Sequence, residues 1–150
     1  MVELPADAEW WEAIKRYKEA LRQYDEFPDA YNEMGYAYRK LGKYDRALEA
    51  YDRALDLEPT HARAIEYRAE AYLQLGRLND AQNAYMELFR IDQPLASQLM
   101  ERMQRWVKDA ASGAGEGVSP DALESFRSWM QERAALADQL GETVSDARSW

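Results

Sequence analysis

Apolar residues recur every three or four positions along most of the chain, which places them on one face of an α-helix. In the clearest segment the apolar face comprises Tyr31, Met34, Gly35, Tyr38 and Leu41. A second apolar face follows directly and comprises Tyr44, Ala47, Leu48, Tyr51, Ala54 and Leu55. Gly42 lies between the two faces and Pro59 follows the second, and both residues favour a helix end. The pattern therefore predicts two helices that pack against each other across a short turn.

The same pair of helices returns further along the chain. The step from Gly42 to Gly76 is the same as the step from Tyr51 to Tyr85. The second copy has its apolar positions at Ile65, Ala69, Tyr72 and Leu75, and then at Leu78, Ala81, Tyr85 and Leu88. A constant offset of this kind predicts an internal repeat in which each unit is one helix pair.

The repeated pattern resembles the tetratricopeptide repeat (TPR), a motif of about 34 residues. In residues 28–61 the matching positions are Tyr31, Met34, Gly35, Tyr38, Ala47, Tyr51 and Pro59. Residues 62–95 match at Ile65, Ala69, Tyr72, Ala81 and Tyr85, but they differ at Arg68 and at Pro94, which comes one position late. The resemblance implies an all-α fold, a right-handed α-α superhelix (TPR solenoid) of about two and a half repeats with an extra C-terminal helix.

The resemblance extends in both directions, over roughly residues 10–107. The positions Trp10, Ala13, Tyr17 and Ala20 lie one repeat length before Tyr44, Ala47, Tyr51 and Ala54. Residues 8–25 are therefore predicted to form a lone second helix, which either caps the array or belongs to a repeat that the sequence enters midway. Trp11, one position off the packing face, would mark a surface that was once covered by another element and is now uncovered. Residues 95–111 are predicted to form a divergent first helix, which completes an array over residues 1–111.

Residues 112–119 are rich in glycine and serine and are predicted to form a linker. Residues 120–150 are predicted to form a C-terminal helix and tail, with Ser119 as the N-cap and Pro120 as the first helical residue. Three roles are open to this helix. The favoured role is to cap the exposed edge of the array. The alternatives are that the helix folds back into the protein's own groove or docks on another chain in a swapped dimer.

Composition restricts the functional classes. The chain carries a formal net charge of −9, has no cysteine and contains a single histidine, His61. The acidity disfavours nucleic acid and membrane surfaces as partners, and the lack of cysteine excludes disulfides and thiolate metal sites. No apolar run is long enough for a transmembrane helix, and the first residues lack the pattern of a signal peptide. We therefore expect a cytoplasmic protein with no metal, in which His61 is a solvated loop residue.

Catalytic chemistry has no recognisable basis in this sequence. The segment "GAGEG" (113–117) lacks the preceding strand and the Lys-Ser or Lys-Thr pair of a phosphate-binding loop. One histidine and no cysteine offer no nucleophile–base pair. Carboxylate pairs such as Asp52 and Asp56 fit an ion-paired helix surface. We expect no enzymatic activity and no cofactor.

The resemblance also implies where a partner binds. In TPR proteins the first helices of successive pairs line a concave groove that takes peptides or partner helices. The residues of these helices that are predicted to point away from the repeat core are Asn32, Tyr36, Arg39, Arg63, Glu66, Tyr67, Glu70 and Gln74. Tyr36 and Tyr67 belong to a residue type enriched in binding hot spots, although tyrosines between neighbouring repeats also serve packing alone.

One TPR subclass uses Lys, Asn and Arg in the groove to clamp the C-terminal carboxylate of heat-shock chaperones. Asn32 fits that pattern, but Glu66 and Glu70 would repel an acidic tail, so a mixed-charge or amphipathic helix is the expected ligand. The sequence thus predicts a non-catalytic adaptor or assembly factor whose partner is a protein or peptide. The alternative is a structural subunit that self-associates into a homo-oligomer, and an enzyme ranks a distant third.

Overall fold

The computed structural model describes the backbone of residues 5–110 and 117–148 and the side chains of residues 6–110 and 117–140. These residues form no strand. Their helices are α1 (Pro5–Gln23), α2 (Pro28–Lys40), α3 (Tyr44–Leu57), α4 (Ala62–Gln74), α5 (Leu78–Ile91), α6 (Gln93–Asp109) and α7 (Pro120–Arg148). The predicted all-α helical-repeat fold is confirmed. Among the described helices, none has the combination of length and apolar character that crossing a membrane demands.

The chain divides into two compact units, Met1–Leu99 and Met100–Trp150. The division falls within α6, so the first unit holds α1 to α5 and the beginning of α6. The second unit holds the remainder of α6 together with α7. Both helix pairs of the repeat, and all the residues predicted to bind a partner, belong to the first unit.

Each helix pair turns at a glycine. Gly42 and Gly76 have φ angles of +73° and +72°, in the left-handed region that residues with a Cβ rarely adopt. In the first turn the amide of Lys43 donates to the carbonyl of Tyr38 over 2.8 Å, and the equivalent bond of the second turn has the same length. These bonds satisfy carbonyls at the ends of α2 and α4, and the chain then folds back into α3 and α5.

The second helix of each pair buries the face that its pattern predicts. In α3 the side chains of Ala47, Tyr51 and Ala54 are all fully buried. A Cβ atom on Gly35 of α2 would lie only 2.6 Å from Cε1 of Tyr51, so the glycine is what allows α2 to pack directly on the tyrosine ring. In α5 the equivalent buried residues are Leu78, Ala81, Tyr85 and Leu88.

The first helix of each pair is buried on more sides than one apolar stripe predicts. In α4, Leu73 is 2% exposed, although it lies outside the predicted face, and Ala64 and Ala71 are fully buried. The prediction that Leu75 belongs to the buried face is wrong, because Leu75 is 39% exposed. Leu75 is the C-cap residue that follows the last residue of α4. The helix itself contacts α2, α3 and α5, so three neighbours exclude water from different parts of its circumference.

Helix α1 packs against α2. Its buried residues are Ile14 and Leu21, one position after Ala13 and Ala20 of the predicted face. Trp11 does not mark an uncovered surface, because its ring packs edge-on against the ring of Tyr38 at 6.3 Å. The expectation for Trp11 is therefore corrected, and α1 presents a different face to its neighbour from the one that the repeat pattern suggests.

In the second unit, α7 begins as predicted. Pro120 is its first residue, and the hydroxyl of Ser119 accepts a hydrogen bond from the amide of Ala122 at 3.1 Å. Phe126 is 1% exposed and meets the ring of Trp106 edge-on at 6.3 Å. Most of the predicted linker, and the end of the tail, lie at residues 111–116 and 149–150, outside the described residues.

Candidate functional site

Two neighbouring helices carry the residues that the sequence predicts to bind a partner. We call this set the α2–α4 surface, and its members are Asn32, Tyr36 and Arg39 on α2 and Arg63, Glu66, Tyr67, Glu70 and Gln74 on α4. The two helices contact each other directly. Because both are first helices of a pair, the repeat itself places them side by side.

Aromatic rings occupy the centre of this surface. The ring centroids of Tyr36 and Tyr67 are 5.1 Å apart, and both side chains are half-buried. Trp10 of α1 meets Tyr36 edge-on at 5.7 Å, so the aromatic row spans three helices. The sequence pattern missed Trp10 as a member, because the repeat offset assigns that position to a packing face. Tyr51 of the core lies behind the row, 6.3 Å from Tyr67.

Arg39 connects the aromatic row to a carboxylate. Its guanidinium carbon lies 5.1 Å from the centroid of Tyr36 and 5.4 Å from that of Tyr67, within the range of cation–π attraction. Its Nη2 is 3.5 Å from a carboxylate oxygen of Glu70, and both side chains are about 15% exposed. Partial burial weakens screening by solvent, so this pair neutralises the arginine within the surface.

A second ion pair lies along α4. The Nη1 of Arg63 donates to Oε2 of Glu66 over 3.0 Å, and the Arg63 guanidinium carbon is 5.8 Å from the ring centroid of Tyr67. The side chain of Glu66 is fully buried, whereas that of Arg63 is 48% exposed. A buried carboxylate is tolerated when a cation and hydrogen bonds compensate its lost hydration. Arg63 therefore compensates the buried charge of Glu66 while part of its own side chain faces solvent.

The structure corrects the exposure expected for two members of the α2–α4 surface. Asn32 is only 3% exposed and Glu66 is fully buried, since first helices have neighbours on several sides. Within the described part of the chain, no donor reaches Oδ1 of Asn32. Gln74 is exposed at the end of α4. The half-buried members, Tyr36 and Tyr67 foremost, are the ones that combine accessibility with fixed geometry.

Burial keeps the phenols of Tyr67 and Tyr51 protonated. Desolvation raises the pKa of Tyr67, and Arg63 opposes part of that rise. Desolvation also raises the pKa of Tyr51, against the opposing effect of Arg39. Both phenols therefore remain neutral hydrogen-bond donors well into the alkaline range.

One cluster elsewhere has ligand types that a metal could use. Atoms of Asp29, Glu58 and His61 lie within 4.8 Å of one another. However, Nδ1 of His61 accepts a hydrogen bond from the amide of Ala64 at 3.1 Å, and Nε2 lies 2.7 Å from Oδ1 of Asp29. A metal on Nε2 would require a proton on Nδ1, directed at the Ala64 N–H, so the set does not fit a metal.

The same contacts assign His61 a structural role. It is the N-cap of α4, and its side chain is 11% exposed. The expectation of a solvated loop residue is therefore wrong for His61. Its bond to Asp29, in the first turn of α2, ties the start of one repeat to the start of the next.

Comparisons with known proteins agree with the helical-repeat fold. Models described as tetratricopeptide repeat match residues 28–61 and 50–83, and a model described as TPR repeat matches residues 9–42. Among solved structures, the chain is similar to the first TPR of Spaghetti (RPAP3) bound to the HSP90 peptide SRMEEVD. The identity is 20% and the TM-score is 0.61, over 69% of this chain and 82% of that chain. No curated protein matches the sequence.

Proposed function

Since the chain belongs to the tetratricopeptide repeat family, we propose that it is a non-catalytic protein–protein interaction module. It acts as an adaptor or assembly factor in the cytoplasm and takes a peptide or a partner helix on the α2–α4 surface. The observation that carries this proposal is the row of half-buried aromatic rings at Trp10, Tyr36 and Tyr67, with Arg39 held against two of them.

Rigid aromatic and arginine side chains suit recognition. Tyrosine, tryptophan and arginine are enriched among the residues that dominate binding energies. Tyr36 is in contact with Trp10 on one side and Tyr67 on the other, so little side-chain entropy remains to be lost when a partner binds. This preorganisation supports a role in binding rather than packing alone.

The charges of the α2–α4 surface select the kind of ligand. Arg39 pairs with Glu70 and Arg63 pairs with Glu66, so neither guanidinium offers an uncompensated charge to an acidic tail. We propose a mixed-charge or amphipathic helix as the ligand. The structurally similar Spaghetti domain was solved with the peptide SRMEEVD, and we expect that peptide to bind this chain weakly or not at all.

Selection from a displayed library of helical and extended peptides tests the proposal. The paired variant Tyr36→Ala with Tyr67→Ala should lose at least tenfold in affinity for the selected peptides, because each hot-spot residue contributes more than about 1 kcal/mol. Tyr24→Ala, at a tyrosine that is 60% exposed, is the matched control and should retain binding. Failure of every selected peptide to distinguish the paired variant from wild type would refute the assignment of the surface.

Two further measurements separate the remaining alternatives. Fluorescence anisotropy with labelled SRMEEVD is expected to show no saturable binding below about 100 μM, and tight binding would restore the acidic-tail interpretation. Light scattering over a range of protein concentrations tests the self-association alternative. A concentration-dependent mass that the Tyr36→Ala, Tyr67→Ala variant abolishes would mean that the surface serves a second copy of this chain.

A further inference from the structure

A second concave region lies between α1, α2 and α3 and shares no residue with the α2–α4 surface. Tyr31, Tyr38 and Ala50 line its buried floor. Its exposed rim carries three cations, Lys18, Arg46 and Arg53. We call this region the cationic pocket, and its volume is about 560 Å³.

The two buried tyrosines hold the three cations over the pocket. Nζ of Lys18 and the guanidinium carbon of Arg46 each lie 6.0 Å from the ring centroid of Tyr38. The guanidinium carbon of Arg53 lies 5.5 Å from the ring centroid of Tyr31. The rings are only 5% and 9% exposed, so they are rigid platforms that bias otherwise flexible cations toward one place.

In the part of the chain that the structure describes, the three cations lie without an ion pair, in contrast to several arginines elsewhere. Arg39, Arg68 and Arg77 each have a carboxylate oxygen within 3.5 Å. Among the described residues, no carboxylate forms an ion pair with Lys18, Arg46 or Arg53.

The absence of ion pairs in the cationic pocket is not due to a shortage of acids. The chain holds 28 acidic and 19 basic residues. Tyr31 is the main cause of the raised pKa of Arg53, and Asp56 and Asp25 add to the rise without forming an ion pair with it. Converging cations without ion-pair partners in an acidic protein indicate a site that is completed by an external anion.

We propose that the cationic pocket binds a phosphate dianion, either as a free ion or as a phosphorylated side chain of a protein ligand. The lining groups are three cations and one carboxylate, Glu49, which leaves two positive charges in excess. A phosphoryl group carries about −1.5 to −2 at neutral pH, whereas a single carboxylate would neutralise only half of this excess.

The donor geometry also favours a phosphoryl group. The guanidinium groups of Arg46 and Arg53 present forked N–H donors that match phosphate oxygens in pairs. The net charge of −9 repels extended polyanions, so recognition must be local to the pocket. A compact anion fits that requirement better than a nucleic acid.

Titration with defined probes tests the proposal. Inorganic phosphate, the tripeptide Gly-pSer-Gly and unphosphorylated Gly-Ser-Gly would each be added to the full chain in low salt, with binding followed by NMR shifts of backbone amides in α1 and α3. We expect saturable shifts with a phosphorylated probe and none with Gly-Ser-Gly. Saturation by both phosphate and the phosphopeptide at equal affinity identifies a free-ion site, and preference for the phosphopeptide identifies a peptide-borne group.

Matched charge variants separate specific binding from general electrostatics. Arg46→Gln with Arg53→Gln should lower the affinity at least tenfold, and circular dichroism should confirm that this exposed pair leaves the fold intact. Arg16→Gln with Arg90→Gln removes the same charge from exposed positions outside the pocket and should change the affinity less than twofold.

Three results would overturn the proposal. They are equal losses in the two double variants, no saturable binding of any phosphorylated probe, and an equal response to sulfate, phosphate and a short RNA strand. The Tyr36→Ala, Tyr67→Ala variant should bind the phosphorylated probe normally, because it leaves the pocket intact. The outcome is therefore independent of the proposed function of the α2–α4 surface.

Discussion

Helices α1 and α3 carry the same pattern one repeat length apart, yet they bury it to different extents. In α3, Ala47, Tyr51 and Ala54 are completely buried. At the equivalent positions of α1, Ala13 and Tyr17 are only half-buried and Ala20 is exposed.

The difference comes from the neighbour of each helix. α2 covers the patterned face of α3, with Gly35 packed directly on the ring of Tyr51. Among the described residues, no helix covers the patterned face of α1. This helix instead contacts α2 through Trp11 and Ile14. The repeat motif therefore specifies a helix face that can be buried, and the presence of a first helix decides whether it is buried.

Truncation of the two equivalent tyrosines should give the largest contrast. Tyr51→Ala removes a fully buried ring, which costs about 3–5 kcal/mol of unfolding free energy. Tyr17→Ala removes a half-buried ring and should cost about 1 kcal/mol. Urea unfolding followed by circular dichroism measures both values. Equal losses would mean that the α1 face is as tightly covered as that of α3.

Enlargement of the equivalent alanines tests the difference in burial between α1 and α3 by adding atoms instead of removing them. Ala47→Leu inserts three carbon atoms into a closed contact and should destabilise the protein by about 1–3 kcal/mol. Ala13→Leu adds the same atoms where the face is half open, and its effect should stay within about 0.5 kcal/mol. Thermal unfolding of the two variants provides the comparison, and a large loss from Ala13→Leu would reveal a covering element on α1.

A double-mutant cycle isolates the glycine–tyrosine contact. Gly35→Ala should lower the unfolding free energy by about 1 kcal/mol, because the new Cβ would approach the Tyr51 ring to 2.6 Å. In a Tyr51→Leu background the same substitution should stabilise the protein, since alanine favours a helix by about 1 kcal/mol over glycine. Identical effects in both backgrounds would show that the ring does not require the glycine.

The smallest expected effect is alkaline destabilisation. Burial raises the pKa of Tyr51 above its unfolded value, so the folded protein holds a proton that the unfolded chain loses. The stabilisation that results from this proton is complete below about pH 10 and is lost as the pH rises further. The loss of unfolding free energy is about 0.8 kcal/mol at pH 10.5. Stability measured from pH 8 to 11 should decline less in Tyr51→Phe than in wild type. Tyr17→Phe should alter the decline less than Tyr51→Phe does.

Much of the fold follows from periodicity. The helix pairs, the glycine turns at residues 42 and 76 and the buried faces of α3 and α5 are all predicted from the spacing of apolar and small residues. The burial of α2 and α4 is predicted less well, because a single stripe describes a helix with one neighbour. Leu73 and Ala71 are core residues of a helix that contacts three others, α2, α3 and α5.

Periodicity also predicts the candidate site only in part. The sequence predicts the eight members of the α2–α4 surface, and the structure brings Tyr36, Tyr67, Arg39 and Glu70 into contact. It also adds Trp10, which the repeat pattern assigns to packing. The ion pairs and the cap at His61 depend on distances across helices, and no periodic pattern encodes such distances.

The sequence by itself determined the all-α class, the repeat length, the turns and the absence of thiol chemistry, because those depend on local spacing and composition. The tertiary structure alone decided which equivalent faces are covered and which cations lie close to a carboxylate. The physical reason is that burial and electrostatic pairing are properties of neighbours in space. Two helices with one pattern, α1 and α3, therefore differ in what they expose.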